Sequence, residues 1–93
     1  MRESKVINYI RRGFYLDSVA LMRLSQQISA LPGVGAAAMM IGTDSNKGVL
    51  DEADLLADEG REVGANDLII ALKVADGESG KNALEEAENL LDS

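Results

Sequence analysis

Cysteine, histidine and tryptophan are missing from this 93-residue chain, and proline occurs once. Without cysteine there is no disulfide framework, no thiolate zinc site and no sulfur nucleophile. Without histidine the commonest general base and the commonest metal ligand are gone, and with them every Ser-His-Asp or Cys-His arrangement. No apolar run approaches the roughly 20 residues that a membrane helix needs. The longest neutral stretch, Leu31 to Thr43, is rich in Gly and Ala and contains Pro32. The opening Met1-Arg2-Glu3-Ser4-Lys5 is charged, and Val6–Ile10 is broken by Asn8, so the pattern of a secretory leader is absent. The default compartment is the cytoplasm, with no membrane as partner.

What remains is an ordinary globular balance, 46% apolar and 27% charged, enough for one small domain with one core. The net charge of -7 is unevenly spread: residues 1–30 carry +3 and residues 31–93 carry -10. Proteins that bind nucleic acid gain affinity by neutralising phosphates with Lys and Arg. Two-thirds of this chain would repel a phosphate backbone, so nucleic acid is excluded as a partner.

Three strand signals alternate with three helix signals. Lys5 to Arg12 holds the β-formers Val6, Ile7, Tyr9 and Ile10, followed by Gly13, where a bulge or close backbone approach is expected. Asp17 or Ser18 caps a helix whose Leu21, Leu24, Ile28 and Leu31 form one apolar stripe, ended by Pro32-Gly33. A second strand runs from Val34 to Ile41. A helix is predicted over Asn46 to Ala57, burying Val49, Leu50, Ala53 and Leu56, with Asp58 to Asn66 as an exposed loop. Leu68-Ile69-Ile70-Ala71-Leu72, within Asp67 to Val74, is a continuous apolar run, the mark of a strand covered on both faces. Ser79 to Leu91 reads as a last helix, with Ala83, Leu84, Ala87, Leu90 and Leu91 on its apolar side. It closes without a Gly or Pro stop, which suggests a module at the front of a longer polypeptide.

Two segments have the parts of a binding site. Gly42, Thr43, Ser45, Asn46 and Lys47 join a strand to a helix, and backbone N–H groups, hydroxyls and a lysine there suit an anion. The P-loop spacing is absent and Asp44 would repel a phosphate, so a plain helix cap is the simpler reading. Gly13, Asp17 and Ser18 form a turn with the same ambiguity. Carboxylate neighbours such as Asp51-Glu52 and Glu85-Glu86 diverge by about 100° on a helix, so they do not converge on a substrate. Metal would need carboxylates alone, and no EF-hand spacing exists. We assign no catalytic residue and no metal ligand.

The string Ile10-Arg11-Arg12-Gly13-Phe14-Tyr15-Leu16-Asp17-Ser18-Val19-Ala20-Leu21-Met22 resembles the opening of FdrA-type acyl-CoA synthetases, relatives of the succinyl-CoA synthetase α subunit with an extra small domain in front. Gly42-Thr43, Asn46-Lys47, Leu50 and Asn66-Asp67 continue the resemblance in register over about residues 6–91. It implies a non-catalytic N-terminal domain for assembly, docking or regulation, with CoA or nucleotide bound elsewhere in the parent protein. The partners it implies are downstream ligase-like domains or subunits, and the activity either acyl-CoA synthesis or carbamoyl transfer. A reading from a different class is a free-standing ACT-like domain that binds a small anionic metabolite at Gly42–Lys47 or at the Gly13–Ser18 turn.

The order β-α-β-α-β-α and the right-handed crossover rule place the first two strands parallel. The most apolar strand then belongs between them and antiparallel to both, an α+β arrangement with the split β-α-β of a ferredoxin or ACT domain. An all-parallel sheet is the alternative. A three-stranded sheet leaves an edge uncovered, so a two-fold homodimer through the first strand is expected.

Overall fold

Strand β3 (Leu68–Val74) is buried along its whole length apart from Lys73, and every other element is arranged to cover it. The structure, a computed structural model, describes residues 4–92, so the charged Met1–Glu3 and the terminal Ser93 lie outside the described residues. The elements are β1 (Lys5–Arg11), α1 (Ser18–Ser29), β2 (Val34–Ile41), α2 (Asp44–Glu52), α3 (Asp58–Arg61), β3 and α4 (Gly77–Leu91). The sheet order is β1-β3-β2, with both outer strands antiparallel to β3. Tyr9 stands opposite Ile70 on one side of β3 and Met39 stands opposite it on the other. This is the α+β, ferredoxin-like arrangement with the apolar strand in the centre. Among the described residues no helix is long and apolar enough to cross a membrane.

Alternate residues of β3 point to opposite faces. Leu68, Ile70, Leu72 and Val74 join Leu21 and Ile28 of α1 and Ala83 and Ala87 of α4 in one cluster. Ile69 and Ala71 join Leu50, Leu55 and Val63 in a second cluster on the other face. Helix α4 seats itself through Gly80, Ala83 and Ala87, small residues at helical spacing. A Cβ on Gly80 would come within 2.9 Å of Ile7 Cδ1, so the glycine sets how closely helix and sheet approach.

The helix starts follow the sequence signals. Asp17 caps α1 by accepting from the Ala20 N–H at 3.0 Å, and Asp76 caps α4 through the Ser79 N–H at 2.8 Å. Pro32-Gly33 turns the chain after α1. Gly33 has φ 79°, as the third position of a type II turn requires, and the Val34 N–H donates to the Leu31 carbonyl at 3.2 Å. Gly13 also has positive φ, at 62°, but a Cβ there would meet nothing within 4 Å. Its role is the left-handed turn, and neither a bulge nor a close approach.

The stretch between β2 and β3 departs from expectation. Helix α2 ends at Glu52, well short of Ala57, because the chain closes a Schellman motif there: the Leu55 N–H donates to the Leu50 carbonyl at 2.8 Å and the Asp54 N–H to the Asp51 carbonyl at 3.1 Å. The left-handed residue is Asp54, with φ 62°, in the place where glycine is usual. Leu50 and Leu55 pack in the same cluster and supply the hydrophobic contact of that motif. Val49 and Ala53, expected inside, are exposed as a result. Residues 58–66 are no plain exposed loop: they begin with the short helix α3, and both Gly60 and Val63 are buried.

What holds this segment is Asn8, the one buried polar residue of the core. Its Nδ2 donates to the Leu55 carbonyl at 2.9 Å, and its Oδ1 accepts from the Ala57 N–H at 2.7 Å. A Cβ on Gly60 would lie 2.3 Å from Asn8 Oδ1, so α3 passes directly over the amide. Replacing Asn8 with Ala strands a backbone donor and a backbone acceptor under the α3 cover. Asn8→Ala should lower unfolding free energy by about 1–3 kcal/mol, measured by urea denaturation. A loss within error of zero would show that water replaces the amide at no cost.

Candidate functional site

Two features lie at the end of the sheet where β1 leads into α1: a corner held by Asp67, and a groove that opens beside it. At the corner the Gly13 N–H donates to Asp67 Oδ1 at 3.0 Å and the Gly64 N–H donates to Oδ2 at 3.3 Å. Arg12 reaches Asp67 Oδ2 at 3.6 Å. Asp67 thus ties the β1–α1 turn to the turn that precedes β3. Arg11 pairs with the Asp92 carboxylate at the end of α4, and its guanidinium lies over the Phe14 ring, 4.7 Å from the centroid. Both arginines are therefore occupied by structural partners.

The groove has a volume of about 680 Å³ and follows the outer edge of β2, since it touches Ala37 and Met39 on one face of the sheet and Ala38 and Met40 on the other. Leu21, Met22 and Ser18 of α1 form one wall; Tyr15, Thr43, Asn46 and Asn66 close the end. Residues with small side chains, Ala37 and Ala38, keep its floor low. Ser25 ties α1 to this edge: its Oγ donates to the Leu21 carbonyl at 2.7 Å and accepts from the Met39 N–H at 2.9 Å. No charged side chain lines the groove, in a chain where 27% of residues are charged. At its rim and on the adjoining turn of α1, Tyr15 is 77% exposed, Val19 62% and Met22 61%. The groove offers apolar surface, hydroxyls and amides, and a fit for an uncharged apolar group.

The two sequence-derived segments stand as follows. Thr43 caps α2, its Oγ1 accepting from the Asn46 N–H at 3.2 Å, while Asn46 Nδ2 donates to the Ile41 carbonyl at 2.8 Å. Lys47 Nζ donates to the carbonyls of Arg61 at 2.9 Å and Val63 at 2.6 Å, which fastens α2 to the end of α3. Gly42 is buried, and a Cβ there would lie 2.7 Å from the Gly64 carbonyl oxygen. Ser45 is exposed on the first turn. This segment is thereby bound up in capping and stapling. Of the other segment, Asp17 is the α1 cap, Gly13 feeds Asp67, and Ser18 alone faces the groove. Sequence reasoning missed Tyr15 and Met22 as an exposed pair; the signal was an apolar residue outside the Leu21–Ile28 stripe at each position.

A ferredoxin-like module with four helices and a charge-free groove along its β2 edge defines the class. The chain belongs to the family described as "AllF, heavy metal-associated domain", which matches residues 4–93. It is similar to YahF of Escherichia coli (strain K12), an uncharacterized protein, at 34% identity over 84 residues, 90% of this chain. The chain spans only 16% of YahF. No solved structure matches it. The family assignment corrects the resemblance to FdrA-type acyl-CoA synthetases: the matching family is AllF, and neither it nor YahF bears a synthetase, ligase or carbamoyltransferase description. The functional readings built on the sequence, the synthetase module and the free-standing ACT-like sensor, give way to this assignment.

The family's description raises the question of a metal. Heavy-metal sites take thiolate, thioether or imidazole donors. Cysteine and histidine are absent throughout, and no group of three His, Cys, Asp or Glu is placed to hold an ion among the described residues. Met39 and Met40 cannot join forces, because one packs with the α1 cluster and the other with the cluster on the opposite face. The residues present do not fit a heavy metal.

The Asp67 corner makes a pH prediction. The Gly13 N–H, then the Gly64 N–H, and after them the Arg12 charge hold the Asp67 carboxyl below its ordinary value of 3.8, against a smaller opposing effect of desolvation. A carboxyl lowered in the folded state contributes stability that is full above the unfolded value and is lost as pH falls through the folded one. The Tm difference between the native chain and Asp67→Asn should therefore be constant from pH 7 to about pH 5 and shrink below about pH 4. A difference that stays constant down to pH 2 would contradict this.

Proposed function

We propose that the domain is a metal-independent docking module, and that its groove receives an uncharged apolar segment from the longer polypeptide in which domains of this family occur. The observation that carries the reading is the charge-free groove rimmed by exposed Tyr15 and Met22. Contiguous exposed apolar surface with a polar rim marks contact sites on folded proteins. The small share of YahF that the chain matches supports a place within a longer chain. The lack of cysteine and the absence of a leader pattern support a cytoplasmic setting.

Two measurements on the domain test this. Equilibrium dialysis against Cu(I) and against Zn(II) should leave no stoichiometric metal on the protein. An apolar fluorescent probe, anilinonaphthalene sulfonate, should bind at one site and lose that site in Met22→Glu. Because Met22 is exposed, that variant should keep its stability to within about 0.5 kcal/mol. One equivalent of retained metal, or probe binding indifferent to Met22→Glu, would overturn the reading.

A further inference from the structure

The two outer strands of the sheet differ in how their free edges are treated. On β2 the Met39 N–H is taken by Ser25 of α1, so this edge is guarded by a helix. On β1 all seven residues pair with β3, and among the described residues no second strand lies along its other side. Alternate N–H and C=O groups of such an edge point outward and accept a further strand. The crossover geometry leaves a place for one. Helix α4 returns from the Val74 end of β3 to the Arg11 end of β1, where Asp92 pairs with Arg11. A right-handed β-α-β unit starting at β3 would set its second strand beside β1, antiparallel to it.

The slot has side-chain features of its own. A cavity of about 520 Å³ lies between β1 and α4, lined among others by Tyr9, Ile10, Ile70, Leu84, Glu88 and Asp92. Leu84, Glu88 and Asp92 stand one helical turn apart, a single row facing the edge. Asp92 is paired with Arg11, whereas Glu88 has no ion-pair partner among the described residues. The strip beside β1 is thus apolar along Tyr9 and Leu84 and acidic at Glu88.

We propose that the open edge of β1 accepts a strand in trans from a partner protein: an extended segment of alternating apolar residues with a Lys or Arg placed against Glu88. The net charge of -7 draws a basic partner toward this edge at long range. A second copy suits the slot poorly. Self-pairing centred on Asn8 sets Lys5 of each copy opposite Arg11 of the other, and like charges directly opposite are destabilising. It also brings two Glu88 rows together. This site is on the opposite edge of the sheet from the groove and stands independently of it.

The probe is an acetylated, amidated heptapeptide, Lys-Val-Thr-Val-Thr-Val-Thr, with a counterpart in which Glu replaces the Lys. Both are titrated into the isotope-labelled domain while backbone amide signals are followed by NMR. The expected result is that Lys5–Arg11 and the last turns of α4 shift and the outward amides of β1 gain exchange protection. The Lys peptide should bind about fivefold more tightly than the Glu peptide, and Glu88→Lys should reverse that order. Shifts confined to α1 and β2, no shift at β1 at millimolar peptide, or equal affinity for the two peptides would overturn the proposal. So would a dimer by sedimentation without peptide, with the β1 amides already protected.

Discussion

Burial of β3 on both faces is the constraint from which the rest of the molecule follows. Leu68, Ile69, Ile70, Leu72 and Val74 are each sealed from solvent. Such side chains contribute about 1.5–3 kcal/mol apiece when buried, together comparable to the whole stability of a small domain. A sheet buried on both faces needs two covers, and a chain of this length has few elements to spare. Helices α1 and α4 cover one face. The other face has no full-length helix left for it, so α2, the Schellman turn and α3 are assembled into a cover and pinned by Asn8. The small residues of the chain belong to the same economy: Ala36, Ala37 and Ala38 in β2, and Gly80, Ala83 and Ala87 in α4, let layers approach closely.

Much of this was legible in advance because the signals were local. The apolar run at residues 68–72 announced a central strand, Asp17 announced the start of α1, and Pro32-Gly33 announced its end. The stretch from 53 to 66 was misread for the opposite reason. Its helix stops through a left-handed Asp54 where no glycine marks the stop, and the buried places of Gly60 and Val63 depend on Asn8, nearly fifty residues away. The candidate site divides in the same way. Thr43, Asn46 and Lys47 looked like an anion site in one dimension, yet the partners of Lys47 are carbonyls that the fold brings in from Arg61 and Val63. The groove was illegible because its walls come from α1, β2 and the turn before β3, and its defining property is a missing charge.

The family name and the donor chemistry of this chain point in different directions. A ferredoxin-like scaffold can hold a metal on the turn between its first strand and first helix only if that turn supplies suitable ligands. Here the turn is Arg12-Gly13-Phe14-Tyr15-Leu16-Asp17, and its backbone is fixed by Asp67. Phe14 and Leu16 pack against the core cluster, Asp17 caps a helix, and Tyr15 stands out into solvent at the mouth of the groove. A turn with that content presents an aromatic side chain for contact. It keeps the scaffold and exchanges coordination for docking.

The most direct test of that account is hydrogen exchange of the domain in two settings, alone and substituted for the matching stretch of YahF. The account predicts that amides from Tyr15 to Met22 and along the outer edge of β2 exchange more slowly in the longer chain, while those of α4 are unchanged. Identical exchange at the groove in both settings, or slowing confined to other surfaces of the domain, would contradict it.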